Sequence, residues 1–158
     1  MKTAILKSVL VAIAVTTGFI SCSSDPVISN NDASVSKPPP PGLASFYYKE
    51  GGAIGYSTVS TPHAKNSTKR IFAMDGSGMV IEIQMASLAV GTYPIGSLTK
   101  FNYNKPSTTN TWYAVTGTVT ISFNGSGLLS GSYKMTSGTG IPSVNSVSGY
   151  FEQLPIYP

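Results

Sequence analysis

The sequence predicts an all-β domain, and three observations carry that prediction. From about residue 43 onward glycine, serine, threonine, tyrosine and β-branched residues dominate. No window there holds a sustained apolar repeat at helical spacing, and short alternating runs recur between glycine-rich turns. The stretch is roughly 115 residues long, the size of one ordinary domain with one modest core.

Taken in order, "ASFYY" and "AIGYSTV" form a first strand pair around Lys49-Glu50-Gly51-Gly52, followed by a loop, "STPHAKNSTKR". A hairpin comes next, joining residues 71–74 to 79–86 through Asp75-Gly76-Ser77-Gly78. In its second arm Met79, Ile81, Ile83 and Met85 alternate with Val80, Glu82 and Gln84, so one face is expected in the core. "GTYPIG" and "FNYN" read as short strands bounded by turn residues. "TWYAVTGTVTISF" reads as strands over 111–115 and 118–123, continuous if Gly117 sits at a bulge, with Val119, Ile121 and Phe123 on one face. The turn "NGSG" leads into "LLSGSYKM", and the last strand is expected within "VNSVSGYFEQLPI". Glycines in the matching words Ser130-Gly131-Ser132-Tyr133 and Ser148-Gly149-Tyr150-Phe151 mark places where a neighbour lies close. Short, closely spaced strands predict an antiparallel β-sandwich, with a small open β-barrel as the alternative.

The N-terminus reads differently. Lys2 and Lys7 precede an uncharged stretch over 8–21, shorter than a spanning helix needs and suited to a cleaved signal peptide. It ends at Cys22, the one cysteine, which cannot form an intramolecular disulfide. Phe19-Ile20-Ser21-Cys22 resembles the lipobox of bacterial lipoproteins, in the relaxed form of Bacteroidota. The resemblance implies cleavage behind Ser21 and lipidation of Cys22, with two or three acyl chains giving stable anchoring in one leaflet. The membrane is then a partner through that lipid. The implied address is the cell outer membrane, on either its surface or its periplasmic side. Residues 22–42 are polar and end in four consecutive prolines at 38–41, which predicts a disordered tether with a stiff polyproline end. The organisation expected is a signal peptide over 1–21, a tether over 22–42 and one domain over 43–158.

Removing Lys2 and Lys7 from the ten basic residues leaves eight against six acids, a balance of +2. The longest basic run is Lys69-Arg70, which gives a nucleic-acid role little support. The order "GTYPIG", "WYAVTGTVTISF", "LSGSYKM", "VSGYFEQL" resembles a group of small Bacteroidota lipoprotein domains of unknown function, over about residues 46–154. It implies a compact antiparallel sandwich and brings no catalytic residues.

The ionisable groups of 43–158 are few: Glu50, Asp75, Glu82 and Glu152 are its acids and His63 its histidine. Zinc and Ser-His-Asp chemistry lack residues, and no G-x-S-x-G, P-loop or G-x-G-x-x-G occurs. Glu82 and Glu152 could pair as glycosidase carboxylates, but the simpler reading of each is a solvent-facing strand residue. Asp75 before glycine reads as turn chemistry, and His63 as an exposed loop histidine. No catalytic residue, metal or organic cofactor is indicated. The aromatic residues Tyr47, Tyr48, Tyr103, Trp112 and Tyr113 are the candidate ligand-binding residues, since such rings combine an apolar face with a polar edge. Core packing competes for them, so a binding surface needs at least two outward rings on one face. The function expected is a lipid-anchored, non-enzymatic envelope module that binds a glycan or protein partner. A structural component of an outer-membrane complex is the alternative, and a small carboxylate-dependent hydrolase is third.

Overall fold

The computed structural model describes residues 43–158; the expected signal peptide, Cys22 and the tether lie outside the described residues. Among those described there are ten strands and no helix. They are β1 (Ser45–Glu50), β2 (Ser57–Thr58), β3 (His63–Lys65), β4 (Arg70–Asp75), β5 (Gly78–Gln84), β6 (Gly91–Pro94), β7 (Lys100–Asn104), β8 (Thr111–Gly125), β9 (Leu128–Thr139) and β10 (Val147–Tyr157). The domain is all-β. The path of ladders runs β10-β3-β4-β5-β7-β8-β9 and returns to β10, closing through seven strands, with β1, β2 and β6 added at its margins.

Closure depends on the two long strands changing partners along their length. β8 pairs with β7 through Thr111, Trp112 and Tyr113, then with β6 through Thr118 to Ile121, while β9 lines its other side. β10 likewise pairs first with β1 and then, beyond Leu154, with β3. Each change of partner coincides with a bulge, where an unpaired residue bends the strand and increases its twist. In β8 the bulge is at Gly117, as its sequence suggests. Gly117 has φ +149, and a Cβ there would lie 2.6 Å from the Lys134 carbonyl oxygen. In β10 it lies between Phe151 and Leu154, with Gln153 in a left-handed conformation, φ 52.

Cross-strand partners share a face, so the core can be read as transverse rows. Ala64, Ile71, Ile83 and Phe101 form one row across β3, β4, β5 and β7, and Ala73, Ile81, Tyr103 and Trp112 form the next, from β4 to β8. Across from them, Phe46, Phe151, Gly131 and Ile121 form a row over β1, β10, β9 and β8, beside Tyr48, Gly149, Tyr133 and Val119. All these residues are buried. In the second group each glycine faces a ring: Tyr133 lies opposite Gly149, and Phe151 opposite Gly131. A Cβ on Gly131 would stand 2.7 Å from the Phe151 ring, and one on Gly149 would strike the Tyr47 carbonyl oxygen and the Tyr133 hydroxyl. The Phe46 ring contacts both rings, at 5.5 Å from Tyr133 and 5.9 Å from Phe151.

Most expected elements are present, and the departures have local causes. His63–Lys65 is a strand where a loop was expected, because three residues supply only one inward side chain, Ala64, too little to show alternation. A bulge between Ala73 and Met74 places both Val80 and Ile81 in the core, so the alternation expected along β5 holds only from Ile81 onward. Another, between Ile121 and Phe123, turns Phe123 outward to 48% exposure, away from the face of Val119 and Ile121. The ladders are antiparallel except one: β3 and β10 run parallel through Ala64 with Ile156 and Lys65 with Tyr157. The expectation of a purely antiparallel arrangement is corrected by this pair, which places the chain's third strand beside its last.

The glycine contacts give a stability prediction. Gly149→Ala should destabilise the domain by about 3 kcal/mol or more, because the added methyl meets backbone that cannot move without breaking the β1–β10 ladder. Gly76→Ala, which would meet nothing within 4 Å, should lie within about 0.5 kcal/mol of wild type. Urea unfolding followed by tryptophan fluorescence reads both.

Candidate functional site

The five candidate aromatics separate by depth. Trp112 and Tyr103 are core residues at 0% and 1% exposure, and Tyr48 is buried beside them. Trp112 packs edge-on to Phe101 and against the backbone of Gly138; its Nε1 has no hydrogen-bond partner, so the indole serves as core volume. For Trp112, Tyr103 and Tyr48 the competing expectation, core packing, is the one the structure shows, so these three rings do not form an outward binding surface. Tyr113 is exposed and Tyr47 half-buried, because both alternate outward from buried neighbours on their strands.

Tyr47 does not stand alone. It lies directly opposite Tyr150 in the β1–β10 ladder, and the two rings stack at 4.7 Å between centroids. Tyr56, just before β2, meets Tyr150 edge-on at 5.5 Å, and the Lys49 ammonium lies 5.0 Å over the Tyr56 ring, a cation–π contact. Burial raises the Tyr150 pKa, with the neighbouring Tyr47 and Glu152 adding to it, so the Tyr150 hydroxyl keeps its proton at physiological pH. From the tyrosine pair the same transverse row continues outward-facing through Ser132, Thr120 and Thr92, and on the other side reaches Thr58. Thr92 and Thr120 exchange a hydroxyl hydrogen bond at 3.1 Å. Three outward rings therefore share a face with a line of hydroxyl groups, each able to donate and accept.

Tyr56 and Tyr150 are not among the five expected residues. Tyr150 was legible in principle: if Gly149 and Phe151 face inward, strand alternation sends Tyr150 out beside Tyr47. Tyr56 was not, since its position depends on how the Gly51 to Gly55 loop folds back.

A second feature lies at the end of β1, where Glu50 follows Phe46 and Tyr48 on the inward face. Its carboxylate accepts from the Tyr103 hydroxyl at 2.7 Å and from Lys105 Nζ at 2.6 Å. These three residues, with Tyr48, Gly51, Ala53 and Ser57, line a cleft of about 430 Å³ beneath the β1–β2 loop. Burial pushes the Glu50 carboxyl up, but the two hydrogen bonds and the Lys105 charge outweigh it and hold the group below its ordinary value. Burial and the Glu50 carboxylate together push the Tyr103 hydroxyl well above its ordinary value, so it stays protonated and donates. The ion pair closes one end of the core over Tyr48 and Tyr103, whose rings meet at 5.6 Å.

Of the remaining acids in the described domain, Glu82 and Asp75 have side-chain partners. Glu82 accepts from Arg70 at 2.7 Å and from Asn102 at 3.3 Å. Glu152 lies on β10 opposite Ser45, on a different ladder from Glu82, so the two expected glycosidase candidates are not neighbours. Asp75 accepts from the Ser77 hydroxyl and backbone N–H at 2.6 and 2.8 Å, the turn chemistry its sequence predicts, and these bonds lower its pKa. His63 lies on β3 rather than in a loop, its ring 5.2 Å from Phe72 and 5.6 Å from Tyr157. Among the described residues no group of three or more His, Cys, Asp or Glu is placed to hold a metal ion. Comparison with family models, curated proteins and solved structures finds no match to this chain.

The Glu50 environment fixes a pH dependence. Its folded-state pKa is depressed, so its stabilisation is complete above the unfolded value, near 4.3, and is lost as pH falls through the folded value. Glu50→Gln should cost about 1–2 kcal/mol at pH 7, with the difference from wild type shrinking below about pH 4. Urea titrations at pH 7 and pH 3 measure it; an equal cost at both would place the effect in packing instead of charge.

Proposed function

We propose that this chain is a lipid-anchored cell-envelope protein whose β domain binds a glycan without catalysis. The observation that carries the reading is the outward cluster of Tyr47, Tyr150 and Tyr56, set in a hydroxyl row between Thr58 on one side and Ser132, Thr120 and Thr92 on the other. Sugars present apolar C–H faces for rings to cover and hydroxyls for Ser and Thr to bond, and a sheet face offers both along a line. A binding rather than hydrolytic role is supported by the separate ladders of Glu82 and Glu152 and by the engagement of Glu82 and Glu50 in ion pairs. The envelope address rests on the lipobox resemblance at Cys22.

For the architecture we propose a sandwich whose two inner faces are the two groups of core rows, with β8 and β10 turning the corners. Ring contacts between the groups support it: Phe101 with Tyr133 at 5.2 Å and Tyr48 with Tyr103.

Two experiments test the function. On a panel of immobilised neutral polysaccharides the purified chain should be retained by at least one, and Tyr47→Ala/Tyr150→Ala should weaken that retention about tenfold with unchanged circular dichroism. Retention of none, or equal retention of the variant, overturns the reading. Cells fed radioactive palmitate should label the wild-type chain and not Cys22→Ala; equal labelling of both removes the anchor.

A further inference from the structure

We propose that the outer face of β3, β4, β5 and β7 is a second binding site, for an acidic polysaccharide carrying sulfate or carboxylate groups. It is distinct from the tyrosine face, which lies on β1, β2 and β10. Lys65 pairs across the ladders with Arg70, Arg70 with Gln84, and Gln84 with Lys100, so these four side chains form one transverse row. The row points outward, because the neighbouring row on the same strands, Ala64, Ile71, Ile83 and Phe101, is buried. Lys69, exposed in the β3–β4 turn beside it, adds another cation. Three of the ten basic residues, Lys2, Lys7 and Lys37, precede residue 43, which leaves seven in the described domain. Four of those seven are therefore gathered here, although the sequence scatters them from Lys65 to Lys100.

The next outward row of the same strands is His63, Phe72, Glu82 and Asn102. Glu82 is the one acid in the two rows, and it is committed: only 15% exposed, it holds the Arg70 guanidinium at 2.7 Å and accepts from Asn102. It neutralises Arg70, and among the described residues no ion pair engages Lys65, Lys69 or Lys100. Lys65 and Lys100 are three strand spacings apart, about 14 Å, so one small anion does not span them but a chain with repeated anionic groups does. Between the cations stand the amides of Gln84 and Asn102, which bond sugar hydroxyls, and the Phe72 ring. A membrane-binding face would want several apolar side chains to insert among the cations, and these two rows carry one, Phe72. Charge complementarity and amide chemistry together select an acidic glycan.

The test compares the purified full chain on immobilised dextran sulfate and on dextran of the same length, at low and moderate salt. Retention on dextran sulfate should fall steeply with salt, and dextran should retain far less. Lys65→Gln and Lys100→Gln should each weaken it severalfold, and the double variant about tenfold. Lys134→Gln, which removes the same charge from β9, should change it little, and Tyr47→Ala/Tyr150→Ala should leave it intact. No preference for dextran sulfate over dextran overturns the proposal, as does an equal loss in Lys134→Gln, which would assign binding to net charge alone. Stronger, Lys65- and Lys100-dependent capture by phosphatidylglycerol vesicles or single-stranded DNA would overturn it in favour of those polyanions.

Discussion

The close approach of rings to glycines between β9 and β10 is the constraint on which the rest of the domain depends. Tyr133 over Gly149 and Phe151 over Gly131 let two large aromatics lie flat on the neighbouring strand instead of standing off it. That brings Phe46 within reach of both, and the Tyr133 hydroxyl donates to the Tyr47 carbonyl at 3.0 Å, tying β9 to β1 across β10. Burial raises the Tyr133 pKa well above its ordinary value, so this donor keeps its proton. Because the inner face is filled by Phe46, Tyr48, Tyr133 and Phe151, strand alternation sends Tyr47 and Tyr150 to the outside in direct opposition. The proposed recognition surface is in this sense the reverse side of the core.

Bulges do the complementary work. A regular ladder keeps one set of neighbours for its whole length, whereas β8 and β10 exchange theirs. Gly117 permits this in β8 because no Cβ stands between the strand and Lys134. In β10 a non-glycine, Gln153, adopts the left-handed conformation, held by its N–H donating to the Ser130 hydroxyl at 3.0 Å. Glycine is thus used in two ways, as a seat for rings and as a joint.

The sequence made the fold class and most strand positions legible, because alternation and turn residues are local signals. The Asp75-Gly76-Ser77-Gly78 turn, the Gly117 bulge and the close-approach glycines of the two Ser-Gly words all follow from a few adjacent residues. What escaped was non-local. Phe123 turns outward because of a bulge immediately before it, and Val80 turns inward for the same kind of reason. The candidate sites were less legible still. Alternation allows one of Trp112 and Tyr113 inside but does not say which. The partner of Tyr47 is over 100 positions away, and a row such as Lys65–Arg70–Gln84–Lys100 exists only once four strands are in register.

The parallel pair of β3 and β10 has a consequence for how the chain can fold. Core residues of β10, including Phe151 and Leu154, find their partners in β1, β3 and β9, so the longest loops close last and the contact order is high. A chain that emerges N-terminus first, from a ribosome or through a membrane pore, holds the preceding strands without their keystone until β10 arrives. The ring of strands closes only when β10 joins β3 to β9. Until then, the edges of β1, β3 and β9 that await β10 stay open to other strands, and a carrier that shields them would keep the half-made sheet from pairing with its neighbours.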